Sequence, residues 1–188
     1  MSTQRVEELP SSSVWCQGAH PADRICRFRN FCYLPDRDKF VFTRGPRSTI
    51  VMPREEKEES RLLDLTSLDG HSAFKFDYEE VDQAFFKGKR ASFVPGKTFA
   101  FSRFHPYNIM HVIHDDILGL YFLLKEFANG SPQSQEHGIP SDSVPFSLDH
   151  NILLLDGHEM GTFGHILTLF SQKFAVFPSH CLLFCLRY

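Results

Sequence analysis

Apolar and polar positions along this chain of 188 residues change period several times, and each change predicts an element. "KFVFTRG" (Lys39 to Gly45) and "STIVMP" (Ser48 to Pro53) are short β-rich runs separated by Gly and Pro, a pattern that predicts a hairpin. "KTFAFSRF" (Lys97 to Phe104) and the continuous apolar run "ILLLD" (Ile152 to Asp156) each predict a strand. "MGTFGHILTLFSQKF" (Met160 to Phe174) carries a weaker helical spacing. Strand, helix, strand, helix in that order implies a parallel α/β layer.

The helix between the two strands is the most informative stretch: "RFHPYNIMHVIHDDILGLYFLLKEF", Arg103 to Phe127. Pro106 suits a first helical turn, where its missing N–H would have had no partner. At about 100° per residue, Ile109, Ile113, Ile117, Leu120 and Leu124 fall on one arc, with Met110 and Tyr121 at its edge. Asn108, His111 and Asp115 fall on the opposite arc, with His114 beside them and Asp116 nearer the apolar side. A compact polar patch therefore sits near the N-terminal end of an otherwise apolar helix.

The remaining segments read as connections. "REEKEESR" (Arg54 to Arg61) is a mixed charge run that suits a solvated loop or helix face. Residues 128–151 are rich in Ser, Pro, Gly and Asn and predict a surface loop.

Composition narrows the class of partner. With 20 phenylalanines and 42% hydrophobic residues the chain has the material for a packed core. A net charge of −3 with scattered Lys and Arg gives no basic field, so nucleic acid and anionic lipid are not expected partners. No run has the apolar length of a signal peptide or a bilayer span. Cys16, Cys26 and Cys32 crowd near the start, and Cys181 and Cys185 lie far away; these spacings match no paired Cys-x-x-Cys zinc pattern. A local disulfide in an oxidising compartment and free buried thiols both fit the residues.

Three chemistries compete for the helical patch. His111 and His114 are three apart, which is not the His-Glu-x-x-His spacing of a zinc site, so no metal is expected. A structural account pairs His111 with Asp115 four residues on, the aspartates offsetting the helix N-terminus. A catalytic account makes Asp115 a general base, with His111 orienting it or sharing its proton.

A resemblance bears on that choice. "DRICRF" (Asp23 to Phe28), "NFCY", "LLDLTSLDGH" (Leu62 to His71), "RFHPYNIMHVIHDDIL" (Arg103 to Leu118) and the "ILLLDG" strand occur in an order that resembles glycosyltransferase family 61, from about Trp15 to Phe177. More distant members, including the transferase that modifies EGF domains, are similar through N-x-x-H-x-x-x-D, here Asn108, His111 and Asp115. The resemblance implies an inverting N-acetylglucosaminyltransferase that takes its sugar from UDP-GlcNAc and adds it to O-linked mannose on a glycoprotein such as dystroglycan. It implies Asp115 and His111 as catalytic residues, Arg103, Asn108, His114 and Asp116 as substrate-binding residues, and no cofactor beyond the donor sugar. Arg103 would hold acceptor or diphosphate oxygens, or else form an ion pair with Asp115 or Asp116.

The same resemblance implies a fold and a compartment. The expected fold class is α/β, the Rossmann-like N-terminal lobe of a GT-B type glycosyltransferase, truncated before the donor-binding lobe and incomplete for catalysis. The family's N-terminal membrane anchor and C-terminal fibronectin-like domain are not expected in these residues. The domain reading is 1–14 a disordered leader, 15–127 the first part of the lobe, 128–151 a surface loop, 152–177 the remainder, and 178–188 a divergent tail from an alternative transcript or gene model. The endoplasmic reticulum lumen is the implied location, with membrane contact only through the anchor. There two of Cys16, Cys26 and Cys32 are expected to pair, Cys16–Cys32 or Cys26–Cys32 first. "NGS" at Asn129 is an N-glycosylation acceptor, weakened by Pro132.

Overall fold

The computed structural model describes residues 3–34, 36–37, 39–53, 62–65, 75–127, 148–176 and 184–186. The charged run Arg54 to Arg61, residues 66–71 of the "LLDLTSLDGH" motif and Asn129 fall outside the described residues, as does most of 128–151. Two compact units form: Met1–Pro95 with Ser179–Tyr188, and Gly96–Pro178.

The first unit is almost entirely β. β1 (Thr3–Arg5), β4 (Phe31–Leu34), β5 (Lys39–Arg44), β7 (Leu62–Asp64), β8 (Lys75–Asp82), β9 (Arg90–Val94) and β13 (Phe184–Leu186) make a mixed sheet in the order β1-β9-β13-β4-β5-β8-β7. β2 (Ser13–Gln17), β3 (Ile25–Arg29) and β6 (Thr49–Val51) make a second sheet in the order β3-β2-β6. Residues 3–5 thus form a strand within the stretch read as a leader, and 184–186 form one within the stretch read as a tail.

The side-chain period of two in a strand divides the core of this unit in two. Cys32, Leu34 and Val41 join Val6, Leu9, Phe86, Ala91 and Cys185 in one cluster. Phe31 and Phe42 join Val14, Cys16, Leu63, Phe76 and Tyr78 in the other. All four residues of β4 are buried, as a central strand with a core on each face requires. Much of the phenylalanine content is here: Phe31 meets Phe28, Phe42 and Tyr78 edge-on, at centroid distances of 5.0, 5.7 and 5.7 Å.

The second unit holds a parallel sheet, β10 (Thr98–Phe101), β11 (Asn151–Leu154) and β12 (Lys173–Val176), in chain order. One helix runs over 109–127, built from Ile109–His111, a wider π-turned stretch Val112–Ile117, and the regular Leu118–Phe127. Leu120 and Leu124 pack with Ile152, Leu154 and Leu167 into its core. Among the described residues, no helix is long and apolar enough to cross a membrane.

Several expectations are corrected by this architecture. The Rossmann-like α/β lobe of a GT-B enzyme does not form: the described residues are mostly β, with three separate mixed or parallel sheets and a single long helix among them. Among the described residues the alternation of strand and helix that suggested it is confined to the second unit, and the helical turns of the first are short 3-10 ones. The hairpin expected from Lys39 to Pro53 does not form either. β5 pairs with β4 and β8, while β6 pairs in parallel with β2 of the other sheet, so local alternation identified the strands but not their partners. The helix expected at Met160 to Phe174 is a 3-10 turn at Gly164–Leu169 followed by β12; two glycines, Gly161 and Gly164, weaken helical propensity there.

Two of the three N-terminal cysteines do pair, but not in either of the combinations put first. Cys16 is bonded to Cys26, its direct neighbour across the β2–β3 pair, and Cys32 to Cys185 across β4–β13. Neither Cys16–Cys32 nor Cys26–Cys32 forms, because Cys32 lies on the seven-stranded sheet and the other two face each other on the three-stranded one. Two disulfides are the chemistry of an oxidising compartment.

Candidate active site

The second unit sets its polar groups at the C-terminal ends of its parallel strands, where open α/β layers commonly bind ligands. Phe101 on β10 is level with Leu154 on β11, so two residues further on Arg103 and Asp156 face each other beyond the strand ends. Their side chains are both 3% exposed and meet through a two-pronged ion pair: Nε of Arg103 donates to Oδ2 of Asp156 and Nη2 donates to Oδ1, each at 2.8 Å. The Arg103 backbone N–H also donates to Oδ2, at 2.9 Å. Other guanidinium N–H groups reach the carbonyls of His158, Glu159 and Met160. Burial pushes the Asp156 carboxyl up, but these hydrogen bonds and the adjacent positive charge outweigh it and hold it below the usual range.

The helix begins six residues after Arg103. Asn108 caps it, its side-chain oxygen accepting from the Met110 N–H at 3.0 Å, so Pro106 lies ahead of the helix and not in its first turn. The π-turned stretch then rotates the faces. Beyond it Leu120 and Leu124 are buried as the constant pitch requires, but within it the buried positions are Val112 and Asp116, one residue earlier than Ile113 and Ile117. Ile113 is 45% exposed. One residue added to a turn shifts the inward stripe by one, and such insertions are frequent at functional sites.

Three of the expected site residues meet on this turn. Asp115 lies between two imidazoles: Nδ1 of His111 is 2.7 Å from its Oδ2, and Nδ1 of His114 is 2.7 Å from its Oδ1. Burial pushes the Asp115 carboxyl up, yet the hydrogen bonds from His114 and His111 prevail and keep it low. The carboxylate is therefore ionised at neutral pH and both Nδ1 atoms must donate to it, a tautomer that in an uncharged imidazole puts the lone pair on Nε2. Asp115 is 12% exposed, His111 26% and His114 71%, so the set opens to solvent on the histidine side. The ring of His105 is stacked on His111 at 6.0 Å, and Phe104 meets it edge-on at 4.9 Å.

The other expected residues take different places. Arg103 pairs with Asp156, in place of Asp115 or Asp116, and its guanidinium is enclosed by the 158–160 backbone. Asp116 is buried among Arg103, Pro106, Val112, Met160, Phe163, Gly164 and Leu167, with its Oδ2 lacking a hydrogen-bond partner among the described residues. Burial, opposed by Arg103 and reinforced by Asp115 and Asp156, lifts its carboxyl to about 7. Asp156 was not singled out from the sequence, although a carboxylate placed directly after a fully apolar strand was a usable signal. Among the described residues no group of three or more His, Cys, Asp or Glu is arranged to hold a metal ion.

No protein-family model matches the chain. It is 35% identical over 117 residues, 61% of its length, to protein O-linked-mannose beta-1,4-N-acetylglucosaminyltransferase 2 of Xenopus tropicalis, covering 20% of that protein. The protein of the same name from Gallus gallus is 32% identical over 64% of the chain, and that from Takifugu rubripes 31% identical over 92% of it. The chain is thus homologous to part of these transferases. It spans between 20% and 27% of their length.

Proposed function

We propose that this chain, as a homologue of part of those N-acetylglucosaminyltransferases, carries the proton-accepting site of an inverting transfer of N-acetylglucosamine from UDP-GlcNAc to O-linked mannose on a glycoprotein in the endoplasmic reticulum lumen. The observation that carries the reading is the His111–Asp115–His114 set on a π-turn at the start of the helix. Inversion in one displacement needs a base to take the proton of the acceptor hydroxyl as its oxygen attacks the anomeric carbon and UDP departs. Both oxygens of Asp115 are already hydrogen-bonded and its carboxyl is held low, so it is the weaker acceptor. His111 takes that role through Nε2, and Asp115 holds the ring in the required tautomer and faces the imidazolium that results. His114, more exposed, contacts the acceptor sugar. Arg103 and Asn108 act from behind the site, one on the strand-end turn and one at the helix cap.

A second reading keeps the same set as a glycoprotein-binding surface without transferase activity, since His111 and His114 open to solvent as a sugar contact requires. Incubating the full chain with radiolabelled UDP-GlcNAc and a mannosyl-threonine peptide separates the two. Transfer that disappears in His111→Ala supports the first; saturable binding of the peptide with no transfer supports the second. Absence of both sinks both.

A further inference from the structure

We infer that Asp156 is a positioning residue for His111, acting through Arg103 and the rings of Phe104 and His105. The inference rests on the reading of His111 as the proton acceptor, and it follows a continuous physical path. Asp156 fixes the backbone of Arg103 by accepting its N–H, and fixes its side chain through Nε and Nη2. The same carboxylate accepts the His158 N–H at 2.8 Å, and Arg103 in turn ties the carbonyls of 158–160, so the ends of β10 and β11 are locked together. The next residue, Phe104, donates its backbone N–H to Asp116 on the helix. The segment 103–104 is therefore held by a carboxylate on each side. From that segment Phe104 and His105 project onto His111, one ring edge-on at 4.9 Å and the other nearly parallel at 6.0 Å. Their contacts set the plane of the His111 ring, and only one plane brings Nδ1 to Asp115.

Removing the Asp156 charge takes away the anchor of that segment without a direct contact on His111 or Asp115, and on the helix it relieves only the repulsion that Asp156 exerts on Asp116. The ring then gains rotational freedom and loses its tautomeric preference. A carboxylate that served stability alone would lower the melting temperature and leave the ring in place.

Long-range proton–nitrogen spectra of the full chain labelled on histidine nitrogens distinguish these outcomes. In the unaltered chain His111 is expected as a single Nδ1–H tautomer. Asp156→Asn should lower the ratio of Nδ1–H to Nε2–H forms of His111 about tenfold, the change that corresponds to a loss of about 1.4 kcal/mol. Phe104→Leu, which leaves the ion pair whole and removes one ring, should do the same and carries the test if Asp156→Asn does not fold. Leu124→Ala, which destabilises the same unit by a cavity, should leave the His111 tautomer unchanged. A His111 ring that stays in one tautomer in Phe104→Leu or in folded Asp156→Asn overturns the inference. So does equal scrambling in Leu124→Ala. Transfer activity is not read here, so failure of this inference is distinguishable from failure of the transfer assay.

Discussion

Cys185 lies directly opposite Cys32 across the antiparallel β4–β13 pair, and a disulfide joins them over a sequence separation of 153. The other disulfide, Cys16–Cys26, closes a separation of only 10. In the chain-entropy account, closing the longer loop restricts the unfolded state by about 5 kcal/mol and the shorter by about 3 kcal/mol. Replacing Cys32 and Cys185 together by alanine should therefore lower unfolding free energy more than replacing Cys16 and Cys26 together. Guanidinium titrations of the two double variants, followed by tryptophan fluorescence from Trp15, check the order. Equal losses would mean that the unfolded chain is already compact.

That long-range bond shows where reading from sequence ends. Strands at Lys39–Arg44, Thr98–Phe101 and Asn151–Leu154 were legible because apolar alternation or a short apolar run is a local signal. The parallel layer joining the last two was legible as well, but the seven-stranded sheet was not, since β13 enters it between β9 and β4 from a position far along the chain. The grouping of His111 with Asp115 was legible from a four-residue spacing that survives the π-turn. The inward position of Asp116 was not, because the added residue per turn has no signature in a wheel drawn at constant pitch. Arg103 and Asp156 were each visible as a charge after a strand, but their meeting depends on β10 and β11 being adjacent and in register.

The turn that Arg103 holds contains two glycines with opposite surroundings. Gly161 has φ +76°, and an added Cβ there would lie 2.7 Å from the Pro106 carbonyl oxygen; Gly157 has φ +69° with nothing within 4 Å. Gly157→Ala should lose only the cost of a left-handed backbone, about 1–2 kcal/mol. Gly161→Ala adds a collision with backbone that leads into the helix, so its loss should be larger by at least about 1 kcal/mol. Thermal unfolding of both variants compares them directly.

Asp115→Asn keeps the volume but offers only one acceptor where two Nδ1–H groups converge. Any transfer activity should fall at least about 100-fold, since a base without its fixed tautomer loses most of what acid–base catalysis contributes. Stability should change by only about 1 kcal/mol, as for an isolated pair four residues apart on a partly exposed helix. His114→Ala should cost less activity than His111→Ala, because His114 is 71% exposed and is not gripped by Phe104 and His105. Melting temperature and activity per folded molecule, taken on the same samples, separate a chemical role from a structural one.

The buried Asp116 makes a signed prediction about pH. It faces Arg103 from the β10 end, Asp156 from the β11 end, its helix neighbour Asp115, and the Phe104 backbone N–H. Burial, the leading influence, lifts its carboxyl from 3.8 to about 7 in the fold. Below about pH 4 the group is neutral in both the folded and the unfolded chain, so it contributes no difference. Between pH 4 and 7 it ionises on unfolding but not in the fold, and stability falls as pH rises. Above pH 7 it is ionised in both, and the fold carries the full cost of the buried charge. Asp116→Asn removes that titration. Any difference in hydrogen bonding between the amide and the acid is an offset that is the same at every pH. The stability of Asp116→Asn relative to the unaltered chain should thus rise steadily from pH 4 to 7 and level off above it. The rise from 3.8 to about 7 corresponds to an upper value of about 4 kcal/mol. Urea titrations at pH 4, 5.5, 7 and 8.5 measure the difference. A difference that stays flat across this range would show that Asp116 ionises as an ordinary surface carboxyl does.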